Sequence, residues 1–194
     1  MLMEHGSCLF GAGRVGEEEP MMGRLVWFGM VVLVLLGVFC HEVLAQETLT
    51  PQGKRFLKEA ASINVMEMQM GRLARDRAEN PEVKEFGERL ELDHGTAYDD
   101  LQRIAAANNV KLPRQVERKH NVLMARLTRL SGREFDRNFV YAMMRSHTKS
   151  VARFKKANRR LDDDDLRAWS VRYLPVFEEH LSYAKGLAQK LGSH

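Results

Sequence analysis

One carboxylate and three imidazoles interrupt apolar helical patterns in this chain of 194 residues. Glu67, His94, His147 and His180 each fall at mid-length on a stripe of apolar residues spaced three and four apart, the spacing of a buried helix face. If the crossover returns the chain to the same end of the bundle, a rise of ~1.5 Å per residue from the predicted helix ends puts the four side chains in one layer about 6 Å thick. Imidazoles and a carboxylate at one level suit a single Zn, Cu, Fe or Mn ion, so the pattern predicts a transition-metal site in the core.

A metal-free reading of the same layer stays open. A histidine on an apolar stripe is ordinarily a hydrogen-bonded core residue, and three of them can simply fix core geometry. Burial of Glu67 alone costs several kcal/mol, which either a protonated histidine or a divalent cation offsets. Three neighbouring acids are candidates for orienting the imidazoles, and His120 is an outlying candidate for the layer itself. These acids are Glu91, Asp93 and Glu179.

A carboxylate-bridged di-iron oxidase or ferroxidase is disfavoured by the acids. Such bundles use a Glu from each of two helices and a Glu-x-x-His pair from each of the other two. Glu91 and His94 form one such pair, but Phe177 stands where the second Glu should precede His180. The helix that carries His147 has no acid near that residue. The chain also has no Ser-His-Asp, phosphate-loop or dinucleotide fingerprint, so we expect a binding protein more than an enzyme.

Four long helical segments must position the layer. Thr50-Pro51 and Asn80-Pro81 are caps followed by proline at the first helical position, and they predict helices reaching about residues 78 and 108. A shorter basic helix is predicted over 114–130, and a capping box from Ser131 to Glu134 begins the third long helix. After a turn at 159–162 the last helix reaches about residue 191. The predicted fold is all-α, a ferritin-like four-helix bundle whose long crossover contains a short helix.

The region before residue 46 has the character of an export signal. Arg24 precedes an uncharged stretch over 25–40, and Val43-Leu44-Ala45 resembles a small-x-small cleavage site. We therefore expect residues 1–20 to be an over-extended start, 21–45 a signal peptide and 46–194 the periplasmic or envelope-associated domain. A retained N-terminal membrane anchor is the alternative, although the stretch is shorter than the ~20 residues that a spanning helix needs. Lipidation at Cys40 is disfavoured by Phe39.

The predicted domain has a composition that excludes several chemistries. Residues 46–194 contain no cysteine, which excludes disulfides, thiol catalysis and iron–sulfur clusters. They hold 28 Lys and Arg against 21 Asp and Glu. The crossover helix carries basic side chains that are predicted to face solvent and could contact an anionic envelope surface. Export and the lack of aromatic residues interleaved with the basic ones argue against a nucleic-acid partner. These candidate surface residues are Arg118, Lys119, Arg126 and Arg129. Neither a specific partner nor an oligomeric state follows from the sequence.

Three blocks of the sequence resemble a known family. The blocks NPEVKEFGERLELDHGTAYDDL, SGREFDRNFVYAMMRSHTKSVARF and LPVFEEHLSYAKGL are similar to the exported ferritin-like family called domain of unknown function 4142, over about residues 51–191. The resemblance implies a ferritin-like bundle and export, and it implies no established activity. The family's first Asp-His pair corresponds to Asp93-His94, and its helix-four histidine to His180. Its second Asp-His pair corresponds to Ser146-His147, so this chain lacks one acid beside a histidine.

Overall fold

The described part of the chain is entirely helical. The computed structural model describes residues 49–116 and 118–192, with the backbone alone at 119 and 120. Within these ranges there are five helices and no strand: α1 (Pro51–Arg77), α2 (Pro81–Ala107), α3 (Arg118–Leu127), α4 (Gly132–Asn158) and α5 (Asp164–Gly192). The all-α prediction is confirmed, and the crossover helix is shorter than predicted. The predicted leader, with its boundaries at residues 20 and 45, lies outside the described residues.

Two of the long helices begin as their sequences predict, and one does not. The side chain of Thr50 accepts a hydrogen bond from the Gly53 amide, and that of Asn80 accepts one from Glu82. Ser131 makes no side-chain capping bond, so the predicted capping box is wrong. Gly132 has a φ of +55°, which departs from the helical geometry that a capping box requires of its first helical residue.

The four long helices pack as a bundle, with α1 against α2 and α4 against α5 as the most extensive pairs. Contacts between α2 and α5, and fewer between α1 and α4, complete the bundle. Its buried apolar residues form two clusters, one around Trp169 and the other around Phe139. Along α2, α4 and α5 the change from one cluster to the other falls at His94, His147 and His180. The polar layer therefore separates two apolar halves of the core.

No described helix combines the length and the apolar composition required to cross a bilayer.

A close approach of α1 and α2 depends on two glycines beside this layer. A Cβ atom on Gly71 would lie 2.5 Å from the Gly87 carbonyl oxygen, and one on Gly87 would lie 2.7 Å from the Gly71 carbonyl oxygen. Both obstacles are backbone atoms, so a methyl group cannot be accommodated by a side-chain rotation. The contact sets the spacing between the helices that carry Glu67 and His94.

We therefore expect Gly71→Ala to lower the free energy of unfolding by about 1–3 kcal/mol, the usual cost of overpacking. Urea denaturation of the purified variant measures the effect. Gly186→Ala is the matched control, because a Cβ there has no neighbour within 4 Å. That control should gain about 0.5–1 kcal/mol, because alanine is the better helix former. Equal stability of the two variants would contradict the close-approach argument.

Candidate metal centre

Three histidines from three helices converge in the middle of the bundle. Nε2 of His94 lies 3.3 Å from Nε2 of His147, and Nδ1 of His180 lies 3.3 Å from the same His147 atom. One ring nitrogen from each residue lies within 4.8 Å of the other two. All three side chains are at most 2% exposed. The predicted convergence of α2, α4 and α5 at one level is thus present, and this group can hold a metal ion.

The outer nitrogen of His94 is held by an asparagine that the sequence argument did not identify. Asn64 donates from its amide nitrogen to the Ala60 carbonyl at 2.8 Å, which directs its Oδ1 atom away from that carbonyl. Oδ1 of Asn64 lies 2.8 Å from Nδ1 of His94. Since an amide oxygen only accepts, Nδ1 of His94 carries the hydrogen. Nε2, which faces the other histidines, is then an unprotonated nitrogen in the neutral ring.

The other two imidazoles are oriented in the same way. Nδ1 of His147 lies 3.0 Å from the Met143 carbonyl oxygen, and Nε2 of His180 lies 2.8 Å from Oδ2 of Asp93. A carbonyl and a carboxylate are both acceptors, so each of these outer nitrogens donates. In the neutral state all three rings therefore direct a lone pair toward the common centre. Outer acceptors that fix the tautomer in this way are the usual support for metal-binding histidines.

Three inward lone pairs have no donor among themselves. Nitrogens separated by 3.3 Å repel one another unless a proton or a cation lies between them. Two ligands about 2.0–2.1 Å from a tetrahedral metal are themselves separated by roughly 3.3–3.4 Å. The two short nitrogen–nitrogen distances thus match the spacing of imidazoles that share one metal ion.

Glu67 lies in the same layer but outside the group of three. Its side chain is 1% exposed, and its Oε1 atom accepts a hydrogen bond of 2.5 Å from Oγ of Ser146. Its Oε2 atom is buried and has no hydrogen-bond partner. Burial raises the pKa of Glu67, while His147 and the Ser146 hydroxyl lower it. The Glu67 carboxylate does not belong to the group of ligand atoms that lie within 4.8 Å of one another. Its role as a metal ligand stays a prediction.

The three neighbouring acids occupy different environments. Asp93 contacts the cluster directly through His180 and lies 3.6 Å from the Arg89 guanidinium. Glu179 pairs with that same guanidinium at 2.6 Å, one step further from the histidines. Glu91 pairs instead with arginines on α1 at 2.6 Å. Only Asp93 among the three therefore contacts an imidazole of the layer.

Aromatic rings line the site. Phe177 stacks on His94 with ring centroids 4.9 Å apart and an interplanar angle of 7°. Phe86 packs edge-on against His180 with centroids 6.2 Å apart. Phe177, which replaces the acid of a second Glu-x-x-His pair, is 1% exposed. Apolar walls of this kind keep the local dielectric constant low and strengthen every electrostatic interaction inside the site.

Burial also lowers the pKa values of two imidazoles, those of His94 and His180. It lowers the pKa of His94 well below 6.5, and the charges of His147 and His180 lower it further. Burial, followed by the charge of His147, lowers the pKa of His180 to about 4 despite the opposing effect of Asp93. Both rings bind fewer protons in the folded than in the unfolded chain, so their stabilisation is present above pH 6.5 and is lost as the pH falls towards 4. The raised pKa of Glu67 has the opposite effect on the pH dependence of stability, but it is one group against two histidines.

For protein treated with EDTA, we therefore expect the free energy of unfolding to fall between pH 7 and pH 5. The slope is about 1.4 kcal/mol per pH unit for each proton taken up on unfolding. Urea denaturation at several pH values measures this slope. His180→Gln should flatten it, because glutamine does not titrate. An unchanged slope in that variant would contradict the assignment.

Three cations of the predicted basic surface lie on α3 and in the turn after it. Arg118, Arg126 and Arg129 are exposed, and Arg126 donates to Oδ1 of Asn138 at 3.4 Å. The side chains of Lys119 and His120 lie outside the described residues. The structure therefore leaves a surface role for these cations as a prediction.

The missed residue Asn64 had a detectable signal. Positions 60, 64 and 67 follow the 3–4 spacing of the buried stripe of α1, and Asn64 is 0% exposed. A buried amide on such a stripe requires partners for its donors and its acceptor. Its second partner, His94, is distant in sequence and only the packing of α1 on α2 reveals it.

Comparison with known proteins agrees with the sequence blocks quoted above. No curated protein and no solved structure gives a significant match to the chain. One family model matches residues 39–187, which is more than half of the chain and includes all three histidines of the cluster. The chain therefore belongs to the family described as "Domain of unknown function (DUF4142)".

Proposed function

We propose that this protein binds one divalent transition-metal ion through His94, His147 and His180. The observation that carries the proposal is the orientation of the three rings. Each outer nitrogen donates to an acceptor, so each inner nitrogen offers a lone pair to a common point. A metal-free histidine core would more ordinarily pair donors with acceptors across the layer.

The charges around the cluster favour a divalent ion. The imidazoles are neutral when they act as ligands, and a carboxylate lies near them on each side, Asp93 through His180 and Glu67 beside Ser146. Two negative charges balance an ion of charge +2 in a site from which water is largely excluded. Nitrogen donors of this kind suit Zn, Cu, Fe or Mn, with Zn and Cu favoured by affinity. We further propose that Glu67 supplies a carboxylate donor when the ion is bound.

Binding, rather than redox catalysis, is the function that this arrangement supports. One carboxylate, that of Asp93, contacts an imidazole of the cluster, and the Phe177 ring stacks on His94. A second metal ion would need bridging carboxylates, and this arrangement does not supply them. We further propose that this metal-binding domain is ferritin-like and is exported to the periplasm or cell envelope.

Metal content of the purified protein tests it. Elemental analysis after dialysis against Zn²⁺, together with a Co²⁺ titration followed by visible absorption, should give one ion per chain. His94→Ala and His180→Ala should each lose the ion, because two imidazoles without the third make a weak site. Thr148→Ala, an exposed change on the same helix as His147, is the control and should bind like the wild type. Equal, near-zero metal in all four proteins would remove the proposal.

A further inference from the structure

The buried cluster meets solvent through two partly exposed side chains on different helix seams. Asp93 lies at the seam of α2 and α5 with 28% of its side chain exposed. Ser146 lies at the seam of α1 and α4, is half-buried, and contacts Glu67. An ion that binds His94, His147 and His180 has to pass between helices, because the three imidazoles are almost completely buried. At these two seams a partly exposed polar side chain contacts a buried group of the layer.

The seam of α2 and α5 is closed by an imidazole and an ion-pair bridge. The ring of His180 stands between Asp93 and the cluster, since Nε2 faces the carboxylate and Nδ1 faces His147. Outside it, the Arg89 guanidinium lies 3.6 Å from Asp93 and 2.6 Å from Glu179. The positive charge of Arg89 opposes an approaching cation. Passage here would require both a broken ion pair and rotation of a ligand ring.

The seam of α1 and α4 presents a different sequence of groups. The half-buried Ser146 hydroxyl comes first, and behind it lies the Glu67 carboxylate. An ion pair between Glu59 and Arg153 crosses this seam about two helical turns away from Glu67. The Oε2 atom of Glu67 is buried and lacks a hydrogen-bond partner, so it is available to a cation. These two helices also contact each other less extensively than α1 contacts α2 or α4 contacts α5. Rotation of one serine side chain releases the carboxylate.

We infer that the metal ion reaches the three histidines through the seam of α1 and α4, where Ser146 is the gate and Glu67 the transfer residue. This inference rests on the proposed metal site. The Ser146 hydroxyl leaves Oε1 of Glu67, the carboxylate binds the incoming cation, and the cation then passes to the imidazole nitrogens. No covalent bond changes in these steps. The inference assigns a rate-controlling role to two residues that the three-histidine geometry alone does not include.

Stopped-flow mixing of the metal-free protein with Co²⁺ alone tests the route. Ser146→Leu fills the gate and should slow association by about tenfold or more, as for binding that requires a conformational change. Thr148→Leu places the same leucine side chain at an exposed position of α4 and should leave the rate unchanged. Arg89→Ala, which removes the bridge at the other seam, should also leave it unchanged. An unchanged rate in Ser146→Leu, or faster uptake in Arg89→Ala, would overturn the inference.

A second variant guards against misfolding at the gate. If circular dichroism shows that Ser146→Leu does not fold, Glu67→Gln decides the question, because it keeps the side-chain shape and removes the carboxylate charge. We expect its association with Co²⁺ to slow by about tenfold, and an unchanged association rate would overturn the inference. The proposed function fails separately: wild-type protein that binds no Co²⁺ removes the site, whereas normal binding with insensitive gate variants removes only the route.

Discussion

Saturating Zn²⁺ is expected to raise the melting temperature of the wild-type protein by about 8–16 °C. A ligand at 1,000 times its dissociation constant stabilises the folded state by about 4.1 kcal/mol. In a domain of this size each kcal/mol shifts the melting temperature by roughly 2–4 °C. The gain arises because the ion relieves the repulsion of three inward lone pairs that the folded chain alone must tolerate. Differential scanning calorimetry with Zn²⁺ and with EDTA measures the shift.

His147→Ala should abolish that shift. Nε2 of His147 takes part in both of the 3.3 Å nitrogen contacts, so its removal leaves two imidazoles without the central one. Thr148→Ala, the neighbouring exposed change, should retain the full shift. Mg²⁺ should have no effect on any of the proteins, because it prefers oxygen ligands. A Zn²⁺ shift of equal size in His147→Ala would place the ion elsewhere.

Phe177→Ala is expected to lower the free energy of unfolding by about 3–5 kcal/mol, the usual range for a buried phenylalanine. The ring is 1% exposed and stacks on His94. It also packs against Phe154 with centroids 5.2 Å apart and against Tyr173 with centroids 6.3 Å apart. Its removal would leave a cavity where the apolar cluster around Trp169 meets the polar layer. Urea denaturation in the presence of EDTA measures the loss without the contribution of bound metal.

Leu92→Ala is the matched control for that cavity. Leu92 is 69% exposed, and its truncation should change stability by no more than about 0.5 kcal/mol. Phe177→Leu should be milder than Phe177→Ala, because it retains most of the apolar volume. A Phe177→Ala variant as stable as Leu92→Ala would show that this ring does not support the core beside His94.

The spacing of the residues alone placed His94, His147 and His180 in one layer of an all-helical bundle. That inference used a constant rise per residue, recognisable helix ends and apolar stripes of period 3–4, which are local properties. It also assumed a bundle whose crossover returns the chain to the same end. The same stripes predicted which faces are buried. The side chains of Thr50 and Asn80 cap helices for an equally local reason, since each bonds to an amide two or three residues further along the chain.

Packing decided what those residues can do chemically. The ring nitrogen that faces the centre depends on acceptors from other parts of the chain, such as Asn64 for His94 and Asp93 for His180. Ser146, which appeared in the sequence as a missing acid, proves to be the hydrogen-bond partner of Glu67. Helical period determines the face on which a side chain lies, whereas its rotamer and tautomer depend on partners distant in sequence. The level of the three histidines could therefore be read from local pattern, but their inward lone pairs follow only from how the helices pack.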